Sequence, residues 1–267
     1  AINSAKTAAY MVKDIYWGGS SNPANFVVCG SEVFFSASSA AGNELWKTDG
    51  TTNGTRRVAD IRPGGSSSSP LELICCNGKV YFSAVGAGIG RELFVSDGTA
   101  AGTQLVLDTR QGSLSSAPLG LVSFGTRFAF RATEPVTGAE LWVSDGTAAG
   151  TTLLHDVRGG PQSSFPGFLT RCGDSLFFRA YTNENGWELW KSDLSYFGTE
   201  MLKDLMPGGG SSLPADILAV GDGIYFSAQT TTHGRELFHS DGSVANTRIV
   251  ADLNPYSESS SPSDLIA

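Results

Sequence analysis

Five glutamates, Glu44, Glu92, Glu140, Glu188 and Glu236, stand 48 residues apart, each inside a Gly-x-Glu-Leu-aromatic-x-Ser/Thr-Asp frame. A carboxylate can act as a general acid or base, or ligate a metal, when a second, unlike group faces it. No such group repeats with these five. Each glutamate precedes a leucine on an alternating pattern, so the two point to opposite faces of a strand. A carboxylate buried on one of those faces needs hydrogen-bond donors. The expected role is therefore a structural tie to a neighbouring strand or sheet, repeated five times.

Other chemistry-bearing residues are few. Asp49, Asp97 and Asp145 open Asp-Gly-Thr-x-x-Gly-Thr loops, and Asp193 and Asp241 open weaker copies. One carboxylate per loop falls short of the roughly six oxygens a calcium ion takes, whereas an Asp side chain readily bonds backbone N–H groups across a turn. Turn chemistry is expected, with no metal and no cofactor. The three histidines, His155, His233 and His239, belong to no nucleophile elbow, zinc motif or phosphate loop. No catalytic residue is assigned. Cys29, Cys75, Cys76 and Cys172 have no metal-ligand spacing. Cys29, Cys76 and Cys172 share a repeat position that Phe124 and Val220 fill elsewhere, which reads as a small apolar core site. A bridge from Cys29 to Cys75 or Cys76 is the sharper alternative.

The elements that must position these residues follow from the second unit. Leu71–Cys75 is a short apolar run, Asn77-Gly78 a two-residue hairpin turn, and Lys79–Ala84 an aromatic and β-branched strand. Arg91–Ser96 and Gln104–Asp108 complete four strands, here called A to D. No segment sustains a helical period. The longest link ends in Ser-Ser-x-Pro, with Pro70, Pro118, Pro166, Pro214 and Pro262 again 48 apart and Pro23 one residue short of register. It is the expected crossover between sheets. A period of this length with four strands predicts an all-β chain, a β-propeller of four-stranded antiparallel blades forming one domain over 1–267. The five units span about 23–62, 70–110, 118–158, 166–206 and 214–254. A spare D strand is expected at 8–15 and a spare A strand at 263–267; the two could belong to a sixth blade finished by further chain, be left over from five blades that close alone, or pair with a neighbouring molecule.

Composition narrows the partners. The 267 residues hold 33 glycines, only 16% charged residues and a formal net charge of -8, with no basic stripe and no long apolar run. Nucleic acid and membrane insertion are disfavoured. The Ala-Ile-Asn-Ser opening suits a processed or trimmed start, so secretion is the expectation. Trp17 and Trp187, outside the repeated aromatic register, and Tyr196 and Phe197, in the divergent Asp193-Leu194-Ser195 loop, are candidate exposed contacts. Asn53 matches a glycosylation sequon, and the paired serines Ser67, Ser68, Ser115, Ser116, Ser163, Ser164, Ser211 and Ser212 are candidate O-glycan carriers.

At Glu-Leu-Trp-x-Ser-Asp-Gly-Thr-x-x-Gly-Thr the chain resembles the ELWxxDGT-repeat proteins, large secreted or surface proteins, mostly bacterial. The resemblance runs from Ala9 to Ala267. It implies a non-enzymatic extracellular or cell-surface repeat protein, structural or adhesive, self-associating or bound to other surface proteins, and brings no catalytic residues. The alternative is a lectin-like propeller with glycan sites repeated between blades.

Overall fold

The structure, a computed structural model, describes residues 9–266. Among these there is no helix, and twenty strands form five four-stranded antiparallel sheets, each ordered along the chain. Sheet 1 comprises β1 (Ala24–Cys29), β2 (Glu32–Ser39), β3 (Gly42–Thr48) and β4 (Arg56–Arg57). Sheet 2 comprises β5 (Leu71–Cys76), β6 (Lys79–Val85), β7 (Arg91–Ser96) and β8 (Gln104–Leu107). Sheet 3 follows with β9 (Leu119–Phe124), β10 (Arg127–Glu134), β11 (Gly138–Ser144) and β12 (Thr152–His155). Sheet 4 has β13 (Gly167–Cys172), β14 (Ser175–Thr182), β15 (Gly186–Ser192) and β16 (Glu200–Lys203). Sheet 5 has β17 (Ala215–Val220), β18 (Gly223–Thr230), β19 (Gly234–Ser240) and β20 (Arg248–Ala251).

Local chemistry explains the strand ends. Asn77 and Gly78 both take positive φ, 49° and 72°, the mirror-image turn whose twist matches the hairpin β5–β6. First strands β1, β5, β9, β13 and β17 pack on one another in succession, so each of the three inner sheets buries one face on the sheet before it and the other on the sheet after it. The cluster between sheets 1 and 2 is typical: Phe34, Leu45 and Val58 meet Phe82, Ala84 and Phe94. The repeated aromatics Trp142, Trp190 and Phe238 fill the same place in the later seams. Trp46 packs on Phe35, Ala37 and Ile15.

The row ends in two open faces. Phe26 on β1 is 61% exposed, whereas Leu121 and Ile217 at the same repeat position are 8% exposed. Val220 on β17 is 44% exposed against 8% for Cys29, and Val250 on β20 is 50% exposed against 7% for Val106.

The extra strands expected at 8–15 and 263–267 do not form over the described residues, Ala9–Ile15 and Ser263–Ile266. Ala8 and Ala267 lie outside them. The physical reason is that neither segment has a neighbouring strand to complete a ladder, and an unpaired strand leaves its backbone groups unsatisfied. The first segment nonetheless docks. Lys13 Nζ donates to the carbonyls of Thr52 and Thr55 at 3.3 and 2.7 Å. In sheet 4, Lys203 Nζ reaches Val244 and Thr247 the same way.

One seam is covalent: Cys29 of β1 is bonded to Cys75 of β5. Cys76 and Cys172 are buried thiols whose Sγ atoms lie against turn carbonyls of the following sheet. The bond closes a loop between residues 46 apart, for which the chain-entropy model gives about 4 kcal/mol. Replacing both Cys29 and Cys75 by Ala is expected to lower unfolding free energy by up to that amount in non-reducing urea titrations. Cys172→Ala should cost far less.

Candidate functional site

The five glutamates are each wholly buried. Their strand, the third of each sheet, is flanked on both sides, so the side chain cannot reach water and must find donors within the protein. Three are provided every time. Glu140 Oε1 accepts the Ser164 N–H at 2.6 Å, and Oε2 accepts the Ser164 hydroxyl at 2.5 Å and the Val157 N–H at 3.1 Å. Glu44 is bound likewise by Ser68 and Ile61, Glu92 by Ser116 and Thr109, Glu188 by Ser212 and Leu205, and Glu236 by Ser260 and Leu253. The serine belongs to the crossover 24 residues downstream. Its own carbonyl then accepts an N–H from the second strand of the following sheet, Val85 N to Ser68 O at 2.8 Å and Tyr181 N to Ser164 O at 2.9 Å. Glu44, Glu92, Glu140 and Glu188 are thus latches that tie each sheet to the next one through the crossover, and Glu236 holds the segment after sheet 5 in the same way.

Burial pushes the Glu44, Glu92, Glu140 and Glu188 carboxyls up, against the downward pull of these hydrogen bonds, and takes Glu140 to about 7. At Glu236 burial is again the largest single influence. There the bonds from Ser260, Leu253 and Asn254 together outweigh it and hold the carboxyl low. The difference follows the fold, because among the described residues no sheet packs on the far face of sheet 5.

The Asp loops are turns. Asp97 Oδ1 accepts the Thr99 N–H at 2.8 Å and its hydroxyl at 2.7 Å, and Thr99 Oγ1 in turn accepts the Gly102 N–H. Asp49, Asp145, Asp193 and Asp241 repeat the N–H bond two residues on. Side-chain hydrogen bonds to the carboxylates lower all five, Asp241 to about 2 where Asn246 adds a bond at 2.6 Å. Among the described residues no group of three His, Cys, Asp or Glu side chains is arranged to hold a metal ion.

Several candidate positions are corrected. Ser68, Ser116, Ser164 and Ser212 are wholly buried latch residues, so their hydroxyls are closed to glycan attachment. Ser67, Ser115, Ser163 and Ser211 are partly buried and accept a backbone N–H from Asn43, Arg91, Ala139 and Trp187. Trp187 is half-buried rather than an exposed contact, because Tyr181 and Phe165 pack on it. Asn53 is exposed, Trp17 and Phe197 are almost fully so, and Tyr196 lies over His155, its carbonyl 3.2 Å from Nδ1. Sequence reasoning missed the serine partner of the glutamate, although both recur with the same period and a fixed offset.

No family model and no curated protein matches the chain. Solved structures do. A puromycin hydrolase S511A mutant complexed with PGG is 14% identical with a TM-score of 0.50, over 87% of this chain and 39% of that one. The computationally designed Ika8 protein is 14% identical with a TM-score of 0.48, over 88% and 63%. A chain of a nidogen–laminin complex is 13% identical with a TM-score of 0.47, over 85% and 79%. The chain spans less than two thirds of the first two. At these identities the likeness concerns fold alone, a propeller-like all-β repeat.

The latch makes stability pH-dependent. Below the ordinary value of 4.5, Glu140 is protonated in both folded and unfolded chains. As pH rises towards about 7, the unfolded chain gives up a proton that the folded one keeps, so stability falls across that window. Melting temperature should therefore decline between these pH values, and Glu140→Gln should flatten the slope. Glu140→Ala, which orphans buried donors, should cost about 3 kcal/mol or more in urea titrations at any pH.

Proposed function

We propose that the chain is a non-enzymatic structural module of an extracellular or cell-surface assembly, its sheets set as propeller blades and joined to further copies through the two end faces. The observation that carries this reading is the exposure pattern along the repeat. Every inner seam buries the apolar set that the two ends leave open. The ends are complementary halves of such a seam. Cys29 meets Cys75 between sheets 1 and 2, and Phe124 meets the Arg171 guanidinium at 4.8 Å between sheets 3 and 4. In that series Val220 and Val28, both exposed, are the two unmatched members. Burying a Val or Phe contributes about 1.5–3 kcal/mol, so a few such side chains per face support association. A head-to-tail contact of this kind is heterologous and builds rings or filaments.

Two further features fit. The Cys29–Cys75 bond suits an oxidising compartment. The latch glutamates are each consumed by three hydrogen bonds, which suits a structural rather than an acid–base role.

Sedimentation velocity at rising concentration tests the proposal. The native chain should associate, and Val28→Lys or Val220→Glu alone should leave it monomeric with an unchanged melting curve. A mixture of the two variants should associate again, because opposite charges then meet in the seam. A native chain that stays monomeric at every concentration would sink this reading.

A further inference from the structure

One place in the row departs from the repeat at several positions together. Sheet 4 carries Phe165, Phe168, Arg179, Tyr181 and Trp187 where sheet 1 carries Asn22, Asn25, Ser36, Ser38 and Asn43. The backbone at these places is the same: Phe165 and Asn22 take φ of 49° and 41°, and Phe168 and Asn25 take 55° and 56°. Small polar residues therefore satisfy the fold at these positions. Sheet 3 shares the guanidinium, with Arg131 at the Arg179 position and its Nη1 on the Pro166 carbonyl at 3.4 Å, so what sheet 4 alone adds is the set of four rings around it.

The replacements converge. The Arg179 guanidinium lies 4.8 Å from the ring centroids of both Phe168 and Trp187. Tyr181 and Phe165 flank Trp187 at 5.5 and 6.5 Å, and Arg158 covers Tyr181 at 4.6 Å. Phe165 and Phe168 remain 47% and 41% exposed, so the rings present open faces. The positive charge is unanswered. None of the ion pairs among the described residues involves Arg158, Arg179 or the neighbouring Arg235, in a chain of net charge -8. Arg179 makes one long hydrogen bond, Nη1 to Pro214 O at 3.5 Å, and its buried Nε has no partner. Asp216 acts on Arg235, and Glu184 is exposed on the turn between β14 and β15. A half-buried guanidinium beside two rings, its donors largely unused, is arranged to receive an anion with an apolar face attached.

We propose that this cluster on sheet 4 binds an acidic saccharide of the uronic acid class, its carboxylate paired with Arg179 and its ring face laid on Phe165 and Phe168. A sugar fits better than an acidic peptide. The cluster offers side-chain plates and the exposed amide of Asn183, which is already oriented by Arg158 at 2.8 and 3.1 Å. An extended peptide would instead call for a strand edge with free main-chain donors. The site is single, because no other sheet carries these residues together. It is separate from the end faces, so the assembly reading can fail without it.

The test is calorimetric titration of the full chain with a galacturonic acid trimer, and with the same trimer methyl-esterified. The acid should bind saturably at one site, the ester at least about tenfold more weakly, and added salt should weaken the acid alone. Arg179→Ser and Phe168→Asn restore residues found elsewhere in the repeat. Each should weaken binding by about tenfold or more with an unchanged melting curve, while Phe197→Ala changes nothing. Should either variant unfold, Phe165→Ala, at an exposed ring, is expected to give the same loss. No heat with galacturonate, glucuronate or mannuronate trimers would overturn the proposal. So would equal binding of the ester, or equal binding of a glutamate hexapeptide, which would mark a general anion patch.

Discussion

A carboxylate that cannot reach water organises this chain. Each repeat places one in the middle of its third strand, and burial there is tolerable only because three donors converge on it. Two of the donors come from a serine that belongs to the link leading onward. In the first four repeats the same serine offers its carbonyl to the sheet that follows. One side chain therefore fixes the path of the crossover, the spacing of consecutive sheets and the registration of the apolar seam between them. The hydrophobic clusters supply most of the stabilisation, but they would tolerate sliding. The latch does not, because its donors sit at fixed points.

Much of this was legible in the sequence, and the reasons are specific. The Glu-Leu alternation gave the face of each glutamate, and Asn77-Gly78 gave the hairpin. The Ser-Ser-x-Pro links marked the crossovers by their length and proline. What could not be read was partnership across space. Glu140 and Ser164 recur with one period and one offset, yet nothing local says that they touch. The serines looked like glycan carriers because Ser-rich links usually face solvent, and here the second of each pair is drawn inward by a buried charge. The terminal segments matched strand patterns well. A pattern does not supply the partner that a ladder requires.

The same comparison between copies isolates what the fold does not explain. Within a single chain, five versions of one backbone act as mutual controls. Where sheet 1 carries Asn22, Asn25, Ser38 and Asn43, sheet 4 carries four rings around a guanidinium that sheet 3 also has at Arg131, and neither Arg158 nor Arg179 joins an ion pair among the described residues. Trp187 in particular was singled out because it lies outside the repeated aromatic register. That reasoning identified an unusual residue but misjudged its burial, since the rings around it are also departures from the repeat.

The two ends of the row are not equivalent in how they are closed. Sheet 1 is held to sheet 2 by the Cys29–Cys75 bond, and its outer face is partly covered by the segment around Ile15 and Lys13. Sheet 5 has neither, and its seam with sheet 4 places a buried thiol, Cys172, where sheet 1 has a covalent bond. In a linear array with nearest-neighbour coupling, opening starts where the fewest couplings must break. The molecule therefore has a direction of unravelling: amide exchange and proteolytic nicking advance from sheet 5 inward, and the disulfide-bonded pair is the last to open.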